Sequence, residues 1–252
     1  MKNTFKKIID YFSNKYYLKR QADAEFNPII FYSLKSKNLF MRGITSILPL
    51  WVRKRMSILM TSSRIVEEPF IFENINLGNA AKILDLGCCY SKVSSELASL
   101  GFKVTGTDLN DYNYSHPNFN FTKGDFLKNK FQDNYFDCVI AISVIEHFGL
   151  NCYGGPMIVD GDKKAAKEIY RILKEGGKLI ITLPFGKKET MPAQRIYDTA
   201  GLEDLLRDFR IEKEEYYKYD KGFWLPAKKE VLVDTKFSED VQGVVLALCQ
   251  KQ

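Results

Sequence analysis

The sequence reads as an α/β chain whose core, residues 67–252, is a doubly wound sheet with helices on both faces, and three stretches carry that reading. In residues 82–98 a short apolar run ends in Asp85-Leu86-Gly87 and passes through the small residues Cys88, Cys89 and Ser91. It then enters a segment with Val93, Leu97 and Leu100 at helical spacing, which is the pattern strand, turn, helix. Residues 136–147 hold an unbroken apolar run with polar groups only at its carboxyl end, as expected of a central parallel strand covered on both faces. Residues 163–173 have a helical pattern, and Gly176-Gly177 and the apolar run 178–184 follow. Glycine there is expected to supply the helix C-cap before a further strand.

The remaining elements follow in order. Residues 103–108 form a second strand ending in Asp108, 23 positions after Asp85. In a nucleotide-binding βαβ unit an acid about 20 residues on accepts hydrogen bonds from ribose hydroxyls, which makes Asp108, with Leu109 beside it, the ribose candidate. At the turn itself Gly87 lets a ligand approach the main chain closely. A polar loop with His116 before Pro117 leads to a third strand at 119–122, and Asp125 either caps the turn after it or faces a ligand. A helix over 200–209, an exposed strand over 210–217 and a buried strand over 241–249 complete the core.

Residues 1–66 carry the basic character: a formal +10, against −4 for residues 67–252. The segment is read as a helical cap, and its apolar stretch 44–52 is too short to span a bilayer. Its lysines are either solvated or, with Phe40, Leu50 and Trp51, suited to peripheral contact with anionic lipid at the inner face of a membrane. Nucleic-acid contact is the weakest of the three readings, since basic charge alone is only an electrostatic footprint. Five cysteines, an odd number without paired spacing, suit a reducing, cytoplasmic compartment and no disulfide framework. Neither a Cys-x-x-Cys pair nor a His cluster suggests a metal.

The loop 148–162 is long for a βα connection, as functional loops often are. Within it Asp162, just before the helix, is read as its N-cap. Glu146 and His147 close the central strand, at the edge where an open α/β sheet presents its site. His147, which titrates near neutral pH, is the candidate general base, with Glu146 as its partner.

Together these motifs resemble the class I S-adenosylmethionine-dependent methyltransferases. Asp85-Leu86-Gly87-Cys88 fits the start of that family's Asp/Glu-x-Gly-x-Gly-x-Gly motif, while Cys89 and Ser91 stand at its second and third glycines. A side chain there makes any conformation with φ > 0 less comfortable. The Phe136-Asp137 start and Glu146-His147 finish, and Leu173-Lys174-Glu175-Gly176-Gly177, extend the likeness over about three quarters of the chain. The resemblance implies a Rossmann-like sheet of seven strands with the last inserted antiparallel, and S-adenosylmethionine as cofactor. It places the amino-acid end of that cofactor at Asp85, Gly87, Cys88, Cys89 and Ser91, the adenine at Asp125 and Phe126, and Ser143 on the cofactor side.

Arg64-Ile65-Val66-Glu67-Glu68-Pro69, with Tyr153-Gly154, Pro156 and Asp160-Gly161-Asp162, further resembles methyltransferases of surface-glycan assembly. That implies a sugar acceptor, methylated on oxygen or nitrogen, near Tyr153 and Asp160, and a Glu67 that reaches the cofactor or the acceptor; the other reading of Glu67 is a salt bridge at a helix end, and Arg195, before the helix over 200–209, is available for an anionic group. An RNA methyltransferase or a non-catalytic scaffold are the alternatives.

Overall fold

A computed structural model describes residues 62–252, apart from Tyr90, Lys221, Glu239 and Asp240. The proposed basic cap therefore lies almost wholly outside the described residues. The chain divides into two compact units, and Ser63–Asp220 with Trp224–Gln252 forms the one that follows.

Its elements are α1 (Arg64–Asn74), β1 (Lys82–Leu86), α2 (Val93–Ser99), β2 (Lys103–Asp108), β3 (Phe119–Lys123), β4 (Phe136–Ile142), α3 (Gly161–Ile172) and β5 (Leu173–Pro184). A small pair β6 (Glu189–Thr190) and β7 (Arg195–Ile196) follows, then α4 (Thr199–Leu205), β8 (Phe209–Asp220), β9 (Phe223–Pro226), α5 (Lys229–Leu232) and β10 (Val241–Lys251). The main sheet runs β3-β2-β1-β4-β5-β10-β8-β9. Strands β1 to β5 pair in parallel, and β10 lies between β5 and β8, antiparallel to both. The seven long strands have the expected arrangement, and the short β9 adds an eighth at one edge.

Side chains that alternate across each strand build two cores. Along β4, Phe136, Val139 and Ala141 face the α3 and α4 side with Ile169, Ile172, Leu202 and Leu205. Cys138, Ile140 and Ile142 face the α1 and α2 side with Phe70, Ile71, Val93 and Leu97. The same alternation runs along β10, from Val244 to Cys249. A central strand buried on both faces cannot show a polar side, which is why these segments read as unbroken apolar runs.

Two boundaries depart from the sequence reading. Helix α3 ends at Ile172 rather than at a glycine cap: Leu173 is already extended and pairs with Phe136 of β4. Gly176, at φ 72°, instead serves the irregularity before Lys178 rejoins β4. Helix α1 runs from residue 64 through Pro69, across the 66/67 position.

Candidate functional site

The strand order reverses between β1 and β4, so their carboxyl ends border the crevice in which open α/β sheets bind ligands. The turn after β1 and the turn after β4 meet there. Gly87 has φ +73°, and a Cβ on it would lie 2.5 Å from Val144 Cγ2. Only glycine fits that position, for both the backbone and the space.

Strain at Cys89 and Ser91 is not found: neither is among the described non-glycine residues with positive φ. The departures from glycine serve local contacts instead. Ser91 Oγ accepts a hydrogen bond from Val93 N at 3.1 Å, satisfying a donor at the start of α2. Cys89 N donates to Asp108 Oδ2 at 3.0 Å, and its thiol faces the carbonyls of Asn110 and Asp111. Asp108 Oδ1 accepts from Asn110 N at 2.8 Å, so the acid that ends β2 is fixed against the turn that ends β1. Leu109 is partly exposed beside it, and Cys88 is buried below, its thiol held protonated by the Cys89 side chain and by burial.

Asp85 lies under the turn with 2% exposure, and its Oδ2 accepts a hydrogen bond from Ser94 Oγ at 2.5 Å. Burial raises its carboxyl to about 6, against the partial relief that Ser94 and Arg64 supply. Ser94 carries no sequence signal for this role, because a serine on a helix is ordinarily solvent-facing.

On the other side of the crevice, Glu67 of α1 is fully buried at the carboxyl ends of β4 and β5. Its Oε1 accepts hydrogen bonds from Ser143 Oγ (2.6 Å) and Thr182 Oγ1 (3.0 Å). Oε2 takes no hydrogen bond among the described residues and has Arg64 Nε 3.7 Å away. Ser143, one residue before Val144, sits at φ 44°, a conformation that L side chains rarely adopt and that concentrates at functional sites. Its N–H donates to Thr182 Oγ1 at 3.0 Å. Thr182 escaped the sequence reading, although a lone hydroxyl in the run 179–183 was the available signal.

Asp125 takes the capping role weighed for it. Oδ1 accepts from Leu127 N at 3.0 Å and caps the 3-10 turn Phe126–Lys128, while Oδ2 is buried without a hydrogen bond. Phe126 corrects its expectation as a ring-stacking residue. It is 3% exposed and packs into the core edge-on to Phe148, so its ring is covered by core side chains.

His147 is not at the strand end but on the 3-10 turn Ile145–His147. Its ring is held on both sides: Nδ1 bonds Ala193 O at 2.5 Å, and Nε2 lies 3.6 Å from Oε1 of the buried Glu146. A carbonyl can only accept, so Nδ1 donates to Ala193 O, and Nε2 faces the Glu146 carboxylate. The Tyr153 ring stands edge-on to His147 with centroids 4.9 Å apart, in a loop that closes on itself where Ile158 N donates to Gly149 O. Tyr153, Met157, Val159 and Asp160 are exposed along it.

Arg195 faces inward instead of awaiting an anion. It donates to the carbonyls of Glu146 and Phe148 and lies 3.5 Å from Asp162 Oδ2, strapping the His147 turn to β7. Asp162 is correspondingly not the cap of α3. Its Oδ2 accepts from Tyr197 Oη at 2.9 Å, and burial together with Asp162 pushes the Tyr197 hydroxyl well above its ordinary range. The cap position belongs to Asp160, whose side chain makes no capping bond. Long-range partners on β7 decided this, and local pattern could not show them. His116 also has a local role, accepting from Asn118 N and stacking on Tyr114. Among the described residues no group of three or more His, Cys, Asp or Glu side chains gathers to hold a metal.

Residues 84–181, which span the switch point and most of these groups, match the family described as methyltransferase domain. The chain is 30% identical over 173 residues to a sterol 24-C-methyltransferase of Gibberella zeae, a match covering 62% of this chain and 40% of that relative. It thus spans well under half of that protein's length.

Among solved structures, a methyltransferase of Methanosarcina mazei superposes with TM-score 0.52 at 19% identity, covering 73% of this chain and 97% of that one. The 1,6-didemethyltoxoflavin-N1-methyltransferase of Burkholderia thailandensis, with S-adenosylhomocysteine bound, gives TM-score 0.53 at 14% identity, covering 75% and 77%. At these identities the structures show the fold.

The residues that border this crevice fit S-adenosylmethionine. Gly87 leaves the main chain uncovered at the crevice, and Glu67 Oε2 and Asp125 Oδ2 are buried acceptors without hydrogen bonds among the described residues. An amine-bearing, cationic ligand offers the donors that such acceptors lack.

Proposed function

We propose that this protein transfers a methyl group from S-adenosylmethionine to a hydroxyl or amine of a glycan or small-molecule acceptor. The observation that carries the reading is the His147–Glu146 pair on the turn after β4, beside the exposed Tyr153 ring. Bound S-adenosylmethionine supplies an electrophilic methyl on a sulfonium sulfur. Gly87 and its neighbours would hold the amino-acid end, Asp108 the ribose and Asp125 the adenine.

His147 receives the acceptor's proton at Nε2, and Glu146 stabilises the imidazolium formed, while Ala193 O keeps the ring in one tautomer. Arg195 keeps that turn in place through two backbone carbonyls. Positioning of the acceptor supplies much of the acceleration in such a reaction. Tyr153 offers a face for a sugar ring and Asp160 a carboxylate for its hydroxyls.

A second reading has an apolar acceptor. The exposed Tyr153, Met157 and Val159 on the loop beside His147 favour it, and so does the likeness to proteins named sterol 24-C-methyltransferase. Transfer of labelled methyl from S-adenosylmethionine to panels of nucleotide sugars, lipid-linked sugars and sterols separates the two. With the acceptor found, His147→Ala should cut turnover by roughly 10²–10⁴-fold while leaving calorimetric cofactor affinity unchanged. Near-normal turnover would remove His147 as the base.

A further inference from the structure

The least explained polar atom in the core is Glu67 Oε2. A carboxylate with no solvent exposure normally has both oxygens satisfied, because a buried acceptor without a donor costs about 1–3 kcal/mol. Here the two oxygens differ. Oε1 is locked by the hydroxyls of Ser143, just after β4, and Thr182, on β5, which fixes the plane of the group. Among the described residues Oε2 takes no hydrogen bond, and the Arg64 guanidinium lies 3.7 Å away.

The location is as informative as the vacancy of the bond. Ser143 adjoins Val144, the side chain against which Gly87 is packed, so Glu67 reaches the switch point from the side opposite the glycine turn. Ser143 is held there at positive φ, and the hydroxyl of that strained residue is spent on orienting Glu67.

We propose that Glu67 is the positioning residue for the α-ammonium group of the methyl donor: Oε2 accepts a charge-assisted hydrogen bond from that group, and Ser143 and Thr182 aim the carboxylate. The assignment rests on the reading of S-adenosylmethionine as the cofactor. An ammonium supplies the donor that Oε2 lacks, and charge-assisted bonds of this kind are stronger than neutral ones. The amino-acid end is singled out over the rest of the ligand because Glu67 is linked through Ser143 and Val144 to Gly87, not to Asp108 or Asp125.

The test is calorimetric titration of the full chain with three ligands. S-adenosylmethionine carries both the ammonium and the sulfonium charge, S-adenosylhomocysteine carries the ammonium alone, and 5′-methylthioadenosine lacks the amino-acid end. Glu67→Gln keeps an oxygen for Ser143 and Thr182 but removes the charge. It should weaken the first two ligands together, by roughly tenfold or more, and leave the third unchanged.

Equal loss for all three ligands would make Glu67 merely structural, and loss confined to S-adenosylmethionine would point to the sulfonium; either overturns the proposal. If the wild-type protein binds none of the three, the cofactor reading itself falls. Should Glu67→Gln melt below the assay temperature, Glu67→Asp, with the charge kept and its reach shortened, takes its place with the same selective pattern expected.

Discussion

Asp85→Asn tests how the glycine turn is supported. Burial raises the Asp85 carboxyl from 3.8 to about 6, so the folded protein binds that proton more tightly than the unfolded chain does. Above pH 6 the group is charged in both states, and the folded state is disfavoured by ~3 kcal/mol, taking ~1.4 kcal/mol for each pH unit between the two values. As pH falls through 6 toward 4, the folded state takes up the proton first and the penalty fades.

An asparagine has no such penalty at any pH, and its oxygen can still accept from Ser94 Oγ. Its amide N–H groups meet no ready acceptor, which offsets ~1–3 kcal/mol of the gain. That offset does not vary with pH, so the diagnostic quantity is the slope. In urea unfolding at pH 8, 7, 6 and 5, wild type should gain on the variant by ~1 kcal/mol between pH 6 and 5, and by little between pH 8 and 7. A stability difference that stays constant from pH 5 to 8 would refute the assignment of a strained, buried charge to Asp85.

Two further outcomes bear on the same turn. Gly87→Ala should destabilise the fold by ~2–4 kcal/mol, since the new Cβ meets Val144 and the backbone stays at positive φ. Adding Val144→Ala should recover part of that loss in a double-mutant cycle, whereas strictly additive effects would mean that the two residues do not touch. Ser91→Gly restores the glycine that the resembling family most often has, yet should lower stability by ~1 kcal/mol in chemical denaturation, because Val93 N loses its acceptor.

The parallel half of the sheet was legible in the sequence because its signals are local. Apolar runs bounded by Gly87 and by Ser143 to His147 announce central strands, and the spacing from Asp85 to Asp108 announces a βαβ unit. The sequence also placed Asp85, Asp108, Asp125 and Glu146-His147 at strand ends or just after them. Pairings across long separations were not legible. Asp162 reads as a helix cap until Tyr197 and Arg195 arrive from β7, more than thirty positions later. Glu67 reads as one end of an i,i+3 ion pair until Ser143 and Thr182 close on it. The caution over Cys89 and Ser91 assumed that every glycine of such a turn serves positive φ, and only Gly87 does so among them.

The place of β10 sets an order on assembly. It lies between β5 and β8 and pairs with β8 over Val241–Lys251 and with β5 over Val244–Gln250, although it is later in the chain than either. While the chain is being synthesised, β5 and β8 therefore wait with unpaired edges until residues 241–251 leave the ribosome. Open edges of that kind invite pairing with other chains. A stop codon anywhere before residue 241 should thus yield a product that needs chaperones and aggregates, even though every residue of the crevice has already been made.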